Sequence, residues 1–499
     1  MAETPRKAAP HVSQNEGLIF EKSSPGKYAY SLPPLDVPAA EAGELLGAAQ
    51  VRKEIAGFPE VSEIEIIRHF TRLSTWNYGV DTGMYPLGSC TMKYNPRVNE
   101  VVAALPGLAS EHPYQPLELS QGCLRILRLL ERCLIEITGM DAITLQPAAG
   151  AHGELTGILM VRAYLTAQGN PRKMVLVPDS AHGTNPATAA IAGYGVRSIP
   201  SNSNGQLDLN ALRQAMNEEV AALMITNPNT LGIFEKQIQE IAEVVHSRGG
   251  LIYLDGANMN ALAGVTRPGE FGADVVHLNL HKTFSTPHGG GGPGAGPVCC
   301  SQTLAPFLAA PVVTRNGGDA VPEYRLVQPE RSIGKISGFH GNFGVLVRAY
   351  TYIRTLGESG LKSISSNAVL NANYLMEALR DIYLLPYDRR CMHEVVFSAE
   401  WQKERGVSGL EVAKRLLDYG YHAPTMYFPL IVHEALMIEP TESETRETLD
   451  AFIQALRDIN RESQENPDLV RQAPHTTPVS RLDEAAAARR PNLRWTKGE

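Results

Sequence analysis

The chain of 499 residues is short of several things, and each shortage narrows what it can be. Positive charge is not in excess: 45 Lys and Arg stand against 53 Asp and Glu, a formal net charge of −8, which argues against a nucleic-acid surface over the whole protein. No apolar run approaches the length needed to cross a bilayer, and Met1 to Pro10 lacks the apolar core of a secretory signal, so a cytoplasmic protein is expected. Cysteine is sparse. The six (Cys90, Cys123, Cys133, Cys299, Cys300, Cys391) form no C-x-x-C and no cysteine/histidine metal spacing, so reduced thiols and no metal site are expected. The adjacent Cys299 and Cys300 invite a redox reading, but neighbouring cysteines strain when bonded to each other, and buried free thiols are ordinary.

What is present is alternation. From about residue 140 to 300, apolar β-branched runs and helical patterns follow one another, which predicts a mainly parallel sheet with crossover helices. The expected strands are 143–145, 174–177, 222–226, 251–255 and 275–280. Ahead of them, 117–138 carries leucines and isoleucines at helical spacing. Ligands bind beyond the carboxyl ends of such strands, so what stands at each strand end matters. The first opens into Ala149-Gly150-Ala151, small residues starting a helix and a candidate phosphate seat. The second leads to His182, an imidazole able to stack on a flat ring or simply to fill the core. The third leads to Asn227, the fourth ends in Asp255, and the fifth run ends at His281 and Lys282.

A buried strand rarely ends on charge. Lysine there is either a solvated cap or a nucleophile whose amine attacks a carbonyl, and a carboxylate at the neighbouring strand end shifts the balance. One amine to hold an aldehyde and one acid to keep a pyridine nitrogen protonated are the two groups that pyridoxal phosphate demands. The order phosphate seat, flat side chain, amide, acid, amine is that of a fold-type I pyridoxal phosphate enzyme: an α/β large domain followed by a smaller α+β C-terminal domain. Lys282 is the expected catalytic residue. Lys282, Asp255, His182, Ala149, Gly150, Ala151, Asn227 and His281 are the expected cofactor-binding residues.

Two other stretches carry weight. The segment 76–96, dense in glycine, hydroxyls and aromatics, is too long for a passive connection and is expected to be functional. Gly289, Gly291 and Gly294 match G-x-G-x-x-G, yet the match joins no strand to a helix, and Pro293 and Pro297 interrupt it. A deformable loop beside Lys282 that gates or admits a bulky second substrate is the expectation there. The expected divisions are an N-terminal arm and loop segment (1–110), a large cofactor-binding domain (111–340), a small domain (341–465) with helices at 344–356, 366–379 and 410–417, and a tail (466–499) that docks through Trp495.

Longer strings then become informative together. His281-Lys282-Thr283-Phe284 with the glycine run, Leu87-Gly88-Ser89-Cys90-Thr91-Met92-Lys93, Ser180-Ala181-His182-Gly183-Thr184-Asn185-Pro186, His422-Ala423-Pro424-Thr425-Met426 and Ile438-Glu439-Pro440-Thr441-Glu442-Ser443-Glu444 resemble the glycine cleavage system P-protein family. The length is similar to that of the lysine-bearing second subunit of the family's two-subunit form. The resemblance implies glycine dehydrogenase (aminomethyl-transferring) chemistry. Lys282 would hold pyridoxal 5'-phosphate, glycine would displace the lysine, carbon dioxide would leave, and the aminomethyl group would pass to the lipoyl disulfide of the H-protein. It also implies a first subunit as partner, in a heterotetramer of two chain types. For the glycine carboxylate the residues leave Arg315, Arg331, Arg348, Ser89, Thr91 and Lys93 open. Transamination, cysteine desulfuration through a thiol such as Cys90, and a non-catalytic structural subunit remain the alternatives.

Overall fold

The computed structural model describes residues 16–52, 55, 57–288, 294–316 and 323–496. The glycine run's first five residues, 289–293, lie outside the described residues, and with them most of the expected gating loop. Contacts divide the chain into two compact units: residues up to 79 together with 473 onward, and Val80–Gln472.

The first unit is small. Its helix Glu63–Ser74 starts at a capping box in which Ser62 and Glu65 satisfy each other's backbone. Glu16 gathers Arg72, Lys22 and His69, and the Arg72 guanidinium foremost holds its carboxyl well below the usual range. The tail docks here: Trp495 stacks on Phe20 with ring centroids 4.9 Å apart.

The second unit is built on a seven-stranded sheet: β1 Ala142–Thr144, β2 Met174–Pro178, β3 Gly195–Ile199, β4 Val220–Thr226, β5 Leu251–Gly256, β6 Val275–Leu278 and β7 Val298–Cys300. The order is β1-β7-β6-β5-β4-β2-β3, parallel except for β7, which runs against both neighbours. Every residue of β4 and β5 is buried, as parallel strands covered on both faces must be. Two strands escaped the sequence reading for physical reasons. β3 is an edge strand with four of its five residues exposed, so it has no continuous apolar run, and β7 is a three-residue strand behind a glycine and proline segment. The fifth expected strand is also shorter than read. It closes at Leu278, and Lys282 stands four residues on, in a turn.

Helix α1, Leu117–Thr138, lies where its spacing placed it, burying Leu124, Leu127, Leu130 and Leu134 and ending on Gly139 at φ 69°. Helix α2, Gly150–Ala167, packs on the sheet so closely that a Cβ on Gly157 would stand 2.6 Å from the Tyr253 ring. Helix α3, Phe343–Leu379, is broken only at Gly357 (φ 63°, ψ −169°) and leads into the smaller α+β part. There an antiparallel sheet, β8 (Val395–Ser398), β9 (Thr425–Met426) and β10 (Ala435–Ile438), carries helices Gly409–Asp418 and Arg446–Glu465 around Phe397, Leu416, Leu436, Phe452 and Leu456. Segment 80–96 packs against this small sheet. Leu87 bridges to Ile438, and the Gly88 amide donates to the Met437 carbonyl at 3.3 Å.

Candidate active site

The parallel register of β5 and β6 sets Asp255 opposite His277. Both are buried, and His277 Nε2 stands 3.3 Å from Asp255 Oδ1, while its Nδ1 meets the Tyr253 hydroxyl at 2.9 Å. Asp255 Oδ1 accepts the Ala257 amide at 2.9 Å, and Oδ2 accepts Asn185 Nδ2 at 3.1 Å. Asn185 also donates to Glu154 at 2.8 Å, and the Thr184 hydroxyl donates to the other Glu154 oxygen at 2.8 Å. Burial alone would push the Asp255 carboxyl up. His277, the Ala257 amide, Lys282 and Asn185 together outweigh it, so the group sits below its ordinary value and is ionised at neutral pH.

These groups surround a cavity of about 180 Å³ at the carboxyl ends of the strands. Of the expected residues, Lys282, Asp255, His182, Gly150, Ala151 and His281 line it. Gly150 opens α2, and a Cβ there would fall 2.5 Å from the Asn279 side-chain amide, so a side chain would close the space between the helix start and the turn before Lys282. With its amide oxygen turned to the lysine, Asn279 accepts from Lys282 Nζ at 3.2 Å. His182 is fixed through Nδ1, 2.8 Å from the Thr184 hydroxyl. His281 accepts the Ala295 amide at 3.3 Å; burial first, then His288 and Lys282, lower it to about 3, so it is neutral.

Two expected residues are not brought to the wall. Ala149 is the residue before α2, and its carbonyl accepts the Gly153 amide. Asn227 turns its oxygen to the Glu235 amide at 3.0 Å, and Thr226 and Thr230 occupy the wall instead. Wall residues that the sequence did not single out are His277, Glu154, Thr184, Thr226, Thr230, Ala257, Asn258 and Asn279, while Ser89, one of the groups left open for the carboxylate, is also on the wall. Signals existed for two: His277 interrupts the apolar run Val275-Val276-Leu278, and Glu154 is the one acid in the first two turns of an otherwise uncharged helix start.

The set suits pyridoxal phosphate: an amine for the aldehyde, an ionised acid for the ring nitrogen, and a helix start with small residues for the phosphate. The buried Thr226 hydroxyl has no hydrogen-bond partner among the described residues, leaving one polar group for a ligand. Glu154, Asp255 and His277 also bring ligand atoms within 4.8 Å of one another, a spacing a cation could use, but here each is spent on fixing Asp255 or its neighbours.

Fold and site together define a fold-type I pyridoxal phosphate enzyme. A family model described as glycine cleavage system P-protein matches residues 44–313, and one described as glycine dehydrogenase, C-terminal domain, matches 364–477. "Probable glycine dehydrogenase (decarboxylating) subunit 2" of Chloroherpeton thalassium is 57% identical over 97% of this chain and 98% of its own length. The protein of the same name from Caldanaerobacter subterraneus is 56% identical over 97% and 100%. Among solved structures, glycine decarboxylase (P-protein) of the glycine cleavage system in inhibitor-bound form matches with a TM-score of 0.71 at 22% identity, covering 84% of this chain and 95% of that one. The chain belongs to the glycine cleavage system P-protein family.

Proposed function

We propose that this chain binds pyridoxal phosphate on Lys282, decarboxylates glycine and passes the aminomethyl group to the lipoyl arm of an H-protein. The observation that carries the reading is Lys282 and an ionised Asp255 on the walls of one cavity. Bound there, pyridoxal phosphate supplies an electron sink for the pair released as carbon dioxide leaves. The protein supplies everything around it. Asp255, held by His277, Asn185 and the Ala257 amide, would keep a proton on the ring nitrogen. Gly150 and Ala151 would offer backbone N–H groups to the phosphate, and His182 would be the side chain available to the ring. Asn279 orients the lysine amine, and His281, neutral, adds no charge that would repel it. Family membership supports glycine as the substrate and the H-protein as the acceptor. The name subunit 2 carried by the relatives supports a working enzyme assembled with a first subunit, which we take to be a cytoplasmic heterotetramer.

Desulfuration finds less support. It needs an accessible thiolate, whereas burial pushes the Cys90 thiol above its ordinary value and the residue is not on the cavity wall. The test is a titration of the complex, purified with its partner, by glycine and by cysteine, followed in the visible spectrum. A band that responds to glycine and is missing from Lys282→Ala supports the proposal. A response to cysteine alone contradicts it.

A further inference from the structure

The substrate of the proposed reaction is an anion at its carboxylate end, and such an end is commonly met by an arginine fork. Among the described residues lining the cavity there is no arginine. Arg348 spends its fork on Glu100, at 2.8 and 2.7 Å, and neither Arg315 nor Arg331 is on the wall. Lys93 is taken by Glu442 at 2.7 Å, and Thr91 by Glu439. Ser89 is the one of these candidates that lines the cavity.

Its backbone is held there against its own preference. Ser89 has φ 63° and Thr91 φ 45°, left-handed values that side chains with a Cβ adopt only when their surroundings impose them. Two buried glutamates of the small domain impose them. Glu394 Oε2 accepts the Ser89 amide at 2.7 Å, and Glu439 accepts the Thr91 amide at 2.9 Å and its hydroxyl at 2.6 Å. Behind the turn, Glu394 Oε1 and both ring nitrogens of His393 are fully buried with no hydrogen-bond partner among the described residues. Burial first, then the charge of Glu439, raises Glu394 well above the carboxylate range despite the Ser89 amide and Lys282. At this point of the wall, then, the cavity meets a neutral hydroxyl rather than a cation. That suits a carboxylate about to lose its charge: a guanidinium would stabilise the ion in the ground state and oppose its departure as neutral carbon dioxide, whereas a hydroxyl orients it at less cost.

We propose that Ser89 donates its hydroxyl to the carboxylate of the amino-acid substrate, and that Glu394 and Glu439 are positioning residues that hold Ser89 on the cavity wall. The proposal rests on the glycine decarboxylase reading and adds the group that recognises the carboxylate.

The experiment compares two probes on the holoenzyme complex, glycine and methylamine. Both present an amine to the cofactor held by Lys282, but methylamine has no carboxylate. Dissociation constants come from the change in the visible spectrum for wild type, Ser89→Ala, Ser89→Gly and Glu394→Gln. Ser89→Ala is expected to weaken glycine by about tenfold or more, the scale of a lost hydrogen bond to a charged group, and to leave methylamine within about twofold. Ser89→Gly, which relieves the strained φ, should show the same selective loss, so damage to the turn cannot explain it. Glu394→Gln should weaken glycine selectively but less, as expected of a positioning residue. Glycine affinity unchanged in Ser89→Ala, or both probes weakened equally, overturns the assignment. A wild-type complex that responds to methylamine but not to glycine overturns the decarboxylase reading, and the assignment with it.

Discussion

Replacing Lys93 by methionine should cost more than any surface change and should be felt at the active site. Lys93 is 4% exposed, and its Nζ has four oxygens within hydrogen-bond distance: Glu442 at 2.7 Å, the Thr283 carbonyl at 2.7 Å, Asn260 at 3.0 Å and the Tyr352 hydroxyl at 3.2 Å. Methionine fills the volume but leaves the Glu442 carboxylate, its side chain only 9% exposed, without its cation, a change worth about 3–5 kcal/mol. At roughly 2 °C per kcal/mol for a large domain, the melting temperature should fall by roughly 6–10 °C. The double variant Lys93→Met/Glu442→Gln removes both charges and should recover part of that loss, because the stranded charge is the larger share of the cost. Since Thr283 follows Lys282, the single variant should also retain less cofactor after dialysis. Burial alone would lower the lysine's pKa, yet Glu442 and Tyr352 outweigh it and raise it. A folded value above the unfolded one means the stabilisation is complete at neutral pH and is lost only as pH rises through the folded value, above about 10.5. The assay is thermal melting of the wild type, both single variants and the double variant in the same complex. A Lys93→Met protein melting within about 2 °C of wild type, or a double variant no more stable than the single, would refute the reasoning.

Further predictions are direct. Asp255→Asn keeps the shape and removes the charge; cofactor should still load on Lys282, while carbon dioxide release from labelled glycine should fall on the order of a hundredfold or more, and undiminished release would sink the role given to Asp255. Glu131 is buried, and burial raises it to about 7 despite Arg128, so wild-type stability should decline as pH rises from its unfolded value of 4.5 toward 7. Glu131→Gln should therefore gain on wild type across that window by about 1–3 kcal/mol, read from denaturation at pH 5 and pH 8; an equal difference at both would refute it. Gly153→Ala places a Cβ 2.6 Å from the Gly296 carbonyl oxygen, so α2 must shift and cofactor loading should drop sharply by absorbance, with full loading as the contrary result.

How much of this could be read from the chain depends on how local each determinant is. Asp255 and Lys282 were legible because each follows an apolar run that announces a buried strand, and a charge at such a place is conspicuous. The Asp255–His277 pair was not, since it is made by the register of two parallel strands, which neither run specifies by itself. The helices on either side of Gly357 were legible from their spacing, and the break between them falls at Gly357, whose φ of 63° and ψ of −169° are not helical. Segment 76–96 announced itself by composition, but its anchors, Glu394, Glu439 and Glu442, lie about three hundred and more positions away on another sheet or its flanks, beyond any periodicity. Asn227 stands at an expected strand end, but its oxygen accepts the Glu235 amide of its own loop, a contact no strand pattern announces, and Thr226 and Thr230 form the wall there.

The central claim is that this chain, with its partner subunit, moves an aminomethyl group from glycine to a lipoyl arm. Mass spectrometry of a lipoylated H-protein, after incubation with the complex and glycine labelled at the methylene carbon, tests it most directly. The account predicts a lipoyl arm carrying one labelled aminomethyl group, absent when Lys282→Ala replaces the wild-type chain. An arm that stays unmodified in the presence of a cofactor-loaded, glycine-responsive complex would contradict it.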